Sequence, residues 1–143
     1  MLEKNFWKLL KKHLPGDASR VENSADEGMP DVSGAYAKNY GVLSTGIDYW
    51  IELKVCNNKL KVVDPSKLMR ESQKSWHFLR ARQGSIIFVM VRYSFWIAVY
   101  SATKEHGVYR LLTMVERVGS GYDWPFFEKW LCDKLLEYKI SKD

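Results

Sequence analysis

The sequence predicts a single domain of the α/β or α+β class, and three observations carry that prediction. Amphipathic helical stretches alternate with runs rich in β-branched and aromatic residues, in the order helix, hairpin, helix, strands, helix. A chain of 143 residues suits one domain with a real core. The composition, 46% hydrophobic and 14% aromatic, is that of a folded chain rather than a disordered one.

Leu2 to Leu14 reads as the first helix: Leu2, Phe6, Leu9, Leu10 and His13 approximate one face, lysines lie opposite, and Pro15-Gly16 stops it. Arg20 to Gly28 is polar and suits a loop or a short strand. Pro30 has no N–H for a ladder, so Asp31 begins a strand rather than sitting inside one. Gly34 to Gly46, with its scattered polar residues, suits a hairpin connection. Ile47 to Val55 is then a strand. Asp64 and Pro65 open a second helix as N-cap and first helical residue; Leu68, Trp76 and Leu79 form its apolar stripe, and Gly84 ends it. Ile86–Val91 and Phe95–Tyr100 form a strand pair, and Val108–Met114 a further strand after a turn at His106-Gly107. Asp123-Trp124-Pro125 starts a last helix carrying Phe127, Trp130, Leu131, Leu135 and Tyr138. There is no internal repeat and no low-complexity tract.

Charge and cysteine usage narrow the function classes. Lys and Arg outnumber Asp and Glu by 22 to 17, a net charge of +5, which favours an anionic partner, nucleic acid first. Cys56 and Cys132 stand far apart with no CxxC pair, which argues against a disulfide framework or structural zinc and makes a reducing cytoplasm the default. The basic, amphipathic N-terminus is unlike a cleavable signal. No run reaches the roughly 18 apolar residues of a membrane span. The nearest, Ser85 to Ala102, is interrupted by Arg92 and a Tyr93-Ser94 turn, and reads as two strands.

The chemistry concentrates in "GMPDVSG" (Gly28–Gly34) and "YWIELKVC" (Tyr49–Cys56). A strand alternates its side chains, so Glu52 and Lys54 project to one face while Ile51, Leu53 and Val55 project to the other. The flanking apolar run makes the strand central, and a carboxylate buried there must meet a cation. If Asp31 leads a strand paired to this one, its carboxylate arrives beside Glu52. Two carboxylates with open water positions are what Mg²⁺ usually takes from a protein, phosphate oxygens completing the octahedron. Lys54 would then orient the attacking water and offset charge on phosphorus. On the residues alone, Glu52 and Lys54 also suit a same-face ion pair, with Asp31 a turn residue. Lys59, Lys61, Lys67, Arg70, Lys74, Arg80 and Arg82 crowd the next stretch, either as a solvated helix face or, beside a metal site, as a phosphate-tracking DNA-binding surface. His13, His77 and His106 share no metal-ligand spacing and read as structural. Cys56 reads as a core thiol.

With Asp31 in "MPDV" and Glu52 and Lys54 in "WIELKV", the sequence resembles the PD-(D/E)XK nuclease superfamily. It is most similar to the virus-type replication-repair (VRR-NUC) nucleases and to phage and archaeal Holliday-junction resolvases. "LMRESQKSWHFLRARQG" looks like the glutamine-bearing helix that follows the ExK strand in these proteins, and "RVEN" like the stretch before the PD turn. The resemblance covers Arg20 to Val91; the last fifty or so residues match no motif.

The resemblance implies a restriction-endonuclease-like fold, a central mixed β-sheet flanked by helices. It implies Asp31 and Glu52 as metal ligands, the Leu53 backbone carbonyl completing the site, Lys54 as the catalytic lysine and Gln73 supporting it. Glu22 would be an additional acid, with Glu3 its rival and Asp26 and Glu27 weaker candidates. The implied cofactor is Mg²⁺, with Mn²⁺ substituting. The implied reaction is endonucleolytic hydrolysis of DNA, with a four-way junction as the favoured substrate and 5′-phosphate products. A homodimer is expected, its apolar surface drawn from Phe88, Tyr93, Phe95, Trp96, Tyr100, Trp124, Phe126 and Phe127. Two alternatives stay open: a restriction-type or repair nicking enzyme on the same core, and a non-catalytic DNA-binding module.

Overall fold

The computed structural model describes residues 3–21, 28–40, 43–56 and 63–142. Among these residues, three helices flank a seven-stranded mixed sheet whose strand order follows the chain, β1 to β7. The helices are α1 (Glu3–Leu10), α2 (Glu71–Arg82) and α3 (Trp124–Lys142). The strands are β1 (Asp17–Arg20), β2 (Val32–Tyr40), β3 (Leu43–Val55), β4 (Ile86–Arg92), β5 (Trp96–Ala102), β6 (Tyr109–Val118) and β7 (Gly121–Tyr122). All neighbours pair antiparallel except β3 and β4, which run parallel and are joined through α2. A parallel pair needs such a crossover, because no tight turn can return the chain in the same direction. The expected α/β class and mixed sheet are therefore present. No helix among the described residues is long and apolar enough to cross a membrane.

Alternation along the central strands splits the core in two. Ile47, Tyr49, Ile51 and Leu53 of β3, with Phe88 and Met90 of β4, pack under α1 and α3 against Phe6, Leu10, Phe127, Leu131 and Leu135. On the opposite face, Val89 and Val91 of β4 and Ala98 and Tyr100 of β5 meet Cys56 and Met69. Farther along, Ile87 meets Trp76 and Ala81 of α2. Because β4 is buried on both faces, it reads as a continuous apolar run rather than an alternating one.

Several boundaries differ from the sequence reading. The first helix gives way at Lys11 to a 3-10 turn ending at His13, and Gly16 takes φ 68°. Tyr49 of β3 donates its hydroxyl proton to the Pro15 carbonyl at 2.8 Å, fixing that exit. The hairpin expected between Gly34 and Gly46 has longer arms than a connection would: β2 runs to Tyr40 and β3 starts at Leu43, in register from Val32 opposite Ile51 to Tyr40 opposite Leu43. Gly34 has a packing reason there, since a Cβ would run into the Tyr49 ring. Asp64 caps a 3-10 turn over Pro65–Leu68, its carboxylate accepting from the Ser66 N–H at 3.0 Å, while α2 itself starts only at Glu71. The extended residues Met69 and Arg70 separate the two. β6 runs past Met114 because Val115 is buried, and Gly119 at φ 61° turns the chain back into β7.

Candidate metal and phosphate site

The register of β2 on β3 decides where Asp31 goes. Val32 pairs with Ile51, so Asp31, one residue before β2 begins, falls opposite Glu52. Its Oδ2 accepts the Leu53 N–H at 2.8 Å, and its backbone carbonyl accepts from the Val21 N–H at 2.7 Å. Pro30 ends the ladder just there, and Gly28, at φ 88°, lets the turn press against the first turn of α2. The N–H and C=O of one strand residue point to the same side. The Leu53 carbonyl therefore faces the Asp31 side too, past the end of β2.

Glu52 is 1% exposed in the middle of the sheet. Burial, then a hydrogen bond with the Asp31 carboxyl and the charge of that group, push its acid up to about 10, against the weaker opposing pull of Lys54. Glu52 thus holds a proton near neutral pH when no cation stands beside it. Replacing that proton with a divalent ion answers the same electrostatic problem. Glu52 Oε1 has no hydrogen-bond partner, so one oxygen of this buried carboxyl is orphaned. The donor set of two carboxylates and a carbonyl oxygen is all oxygen, which suits Mg²⁺ or Mn²⁺ and not a thiolate-seeking metal. The described residues contain no group of three or more His, Cys, Asp and Glu arranged to hold a metal. A cation here would keep several waters, as Mg²⁺ commonly does.

Lys54 projects to the same face as Glu52, half-buried, and its ammonium donates to Gln73 Oε1 at 3.3 Å. The same oxygen accepts the Arg70 N–H at 2.9 Å, capping α2. Gln73 is buried and ties the start of the helix to the lysine. Glu3, at the start of α1, also reaches this end of the sheet. Burial raises its acid, as does Asp31, while Lys54, Arg20 and Arg70 pull it down. Of the rival additional acids, Glu3 is thus brought to the pair. Glu22, Asp26 and Glu27 lie outside the described residues, as do Lys59 and Lys61.

Of the basic residues that follow, Lys67 and Arg70 are exposed, whereas Lys74 is ion-paired to Glu71 at 2.6 Å. Arg80 lies over the Trp76 ring. A cleft of about 530 Å³ is lined by Ser33, Asp48, Trp50 and Ser85, on the same face of β3 but without either carboxylate or Lys54. It has none of the site's chemistry.

Sequence reasoning passed over His77. Its ring is fully buried, with Nε2 3.4 Å from Glu52 Oε1 and Nδ1 2.7 Å from the Tyr109 hydroxyl. Burial, followed by the Lys54 charge, lowers its acid to about 4 against the opposing pull of Asp31, so the ring is neutral at physiological pH. The available signal was spacing: residue 77 lies one helical turn after Gln73, so a helix that aims Gln73 at the site aims His77 there as well. His13, by contrast, stacks on Trp124 at 4.0 Å and meets Glu128 at 2.7 Å, which is a structural role. Cys56 is a buried core residue.

No family model, curated protein or solved structure matches the chain.

Proposed function

We propose that the chain is a Mg²⁺-dependent DNA endonuclease with a restriction-endonuclease-like core, hydrolysing phosphodiester bonds to leave 5′-phosphates. One observation carries this reading: Asp31 and Glu52, far apart in sequence, meet at the end of β2 and β3 with Lys54 on the same face and Gln73 holding it. The motifs "MPDV" and "WIELKV", which resemble those of PD-(D/E)XK nucleases, are the ones that meet. A sheet crossed only by a structural ion pair has no need of a second carboxyl set beside a buried one.

In this reading Asp31, Glu52 and the Leu53 carbonyl hold the metal, and Glu3 adds negative charge from α1. Bound there, Mg²⁺ supplies Lewis-acid polarisation of the phosphate and neutralises charge on the leaving 3′-oxygen. Lys54, kept in place by Gln73, orients the water for in-line attack and offsets charge growing on the phosphoryl oxygens. Lys67 and Arg70 contact the phosphates on either side. The preference for a four-way junction and the homodimer follow from the resemblance, and the cytoplasmic setting from the cysteine usage.

The test is a substrate panel: labelled linear duplex, single strands, flaps and four-way junctions, each with Mg²⁺, with Mn²⁺ and with chelator. Cleavage that requires the metal, leaves 5′-phosphates and is lost in Asp31→Asn supports the reading. No cleavage of any substrate with either metal, alongside retained DNA binding, would favour a non-catalytic binding module instead.

A further inference from the structure

His77 and Glu52 are both shut away from water, 0% and 1% exposed, in the layer between α2 and the sheet. A polar group there is costly unless something satisfies it, and packing alone would place a leucine or phenylalanine at such a position. Glu52 Oε1 and His77 Nε2 each lack a hydrogen-bond partner, and they face one another at 3.4 Å. The other ring nitrogen is engaged: Tyr109, at the first position of β6, sits 2.7 Å from Nδ1. A tyrosine hydroxyl donating to Nδ1 puts the ring proton on Nε2, the atom aimed at the carboxylate. The ring is further boxed by Trp76 and Tyr109, edge-on at 6.5 Å and 5.9 Å.

We infer that His77, held by Tyr109, is a positioning residue: its Nε2–H takes one oxygen of the ionised Glu52 carboxylate and leaves the other free for the metal. The pair acts on metal binding through Glu52 and touches neither metal nor substrate. The inference rests on the metal-site reading above. It adds that β6, from the part of the chain that matches no motif, takes part in building the site. Partners of this kind, one step behind a ligand, typically alter metal affinity by roughly 10–100-fold when removed.

The test measures Mn²⁺ and Mg²⁺ affinity by titration calorimetry on the full chain near neutral pH. The proteins compared are the wild type, His77→Phe, His77→Gln and Tyr109→Phe, each checked for folding by circular dichroism. His77→Phe should weaken binding by roughly 10–100-fold. His77→Gln, whose amide N–H reaches the place of Nε2, should recover most of the loss, which a purely packing role would not produce. Tyr109→Phe should weaken binding less than His77→Phe. Wild-type affinity in His77→Phe, or equal losses in the Gln and Phe variants, overturns the inference while leaving the metal site standing. If His77→Phe does not fold, Tyr109→Phe decides, and unchanged affinity there is equally fatal. A wild-type chain that binds neither ion removes the metal site and this inference together.

Discussion

Glu52 carries the sharpest consequences at the scale of single residues, because its acid is raised to about 10 from 4.5 by burial first and by Asp31 second. Between those values the folded, metal-free protein holds a proton that the unfolded chain releases, so Glu52 contributes stability that is fully present below about 4.5 and lost as pH rises toward 10. His77 has the opposite sign: its acid is lowered to about 4 from 6.5, so its contribution is present above 6.5 and lost as pH falls through 4. Above neutrality only the Glu52 effect remains of the two. The metal-free wild type should therefore lose stability from pH 7 to pH 9, with a slope of at most about 1.4 kcal/mol per pH unit. Glu52→Gln should flatten that slope, and chemical denaturation at three or four pH values checks it. A wild type and mutant with parallel pH profiles would show that the carboxyl is not held protonated. For the reaction, Asp31→Asn and Glu52→Gln should each abolish cleavage, with DNA binding in chelator nearly unchanged, since each keeps shape while removing a metal-binding charge. Lys54→Ala should keep metal affinity and cut roughly 10²-fold or more slowly. Single-turnover cleavage beside gel-shift binding separates these outcomes, and full activity in either carboxylate variant would end the site assignment.

Elements place these residues, and the two turns around α2 are where a change should be felt. Gly28 holds φ 88°, and a Cβ there would press into the backbone carbonyl of Ser72, which cannot step aside. Gly28→Ala should cost about 1–3 kcal/mol of stability and weaken metal binding, because the turn carrying Asp31 must leave α2. Unchanged metal affinity would mean that this turn does not position Asp31. Gln73→Leu removes both the cap of α2 and the anchor of Lys54. It should cost about 1 kcal/mol and lower kcat with metal affinity retained, as read by denaturation and single-turnover rates. The ExK strand and its face assignment were legible because strand alternation is strict, and a buried Glu between Ile51 and Leu53 has few explanations. The start of α2 was not, because Asp64-Pro65 is a good helix opening in local terms, yet the extended Met69 and Arg70 intervene. The long arms of β2 and β3 were hidden by Gly34, which reads as a breaker until the Tyr49 ring is seen to occupy the space of its missing side chain. His77 was not legible from metal-ligand spacing, because its signal is the helical face it shares with Gln73 one turn earlier.

At the scale of the whole molecule, the order of elements was readable from periodicity, whereas which aromatic residues stay outside was not. That depends on how many layers cover the sheet. With α1 and α3 on one face and α2 on the other, Phe88, Tyr93, Tyr100 and Phe127 are buried inside the protomer, and Trp96 and Trp124 are half-buried. Of the eight aromatic residues expected to form a dimer surface, only Phe95 and Phe126 remain exposed, at 52% and 42%. Any pairing about a two-fold axis would therefore draw on a mixed surface rather than an aromatic one. DNA binding without metal should be steeply salt-dependent, each phosphate neutralised adding about 0.9 to the slope on duplex. Arg70→Ala should lower that slope by about one such contact, and Lys74→Ala by less, because Glu71 already occupies its ammonium. A slope near zero in the wild type would point to a partner other than nucleic acid. If two protomers do pair, their sites face symmetry-related strands of a four-way junction, so a mobile junction should receive paired nicks placed symmetrically across it. Sedimentation at micromolar concentration should then show a dimer, and Phe95→Ser with Phe126→Ser should shift it toward monomer and uncouple the paired nicks without reducing single-strand nicking. A strict monomer that cuts linear duplex and junction equally well would rule out junction resolution, yet leave the carboxyl pair and Lys54 with the same phosphodiester chemistry to perform.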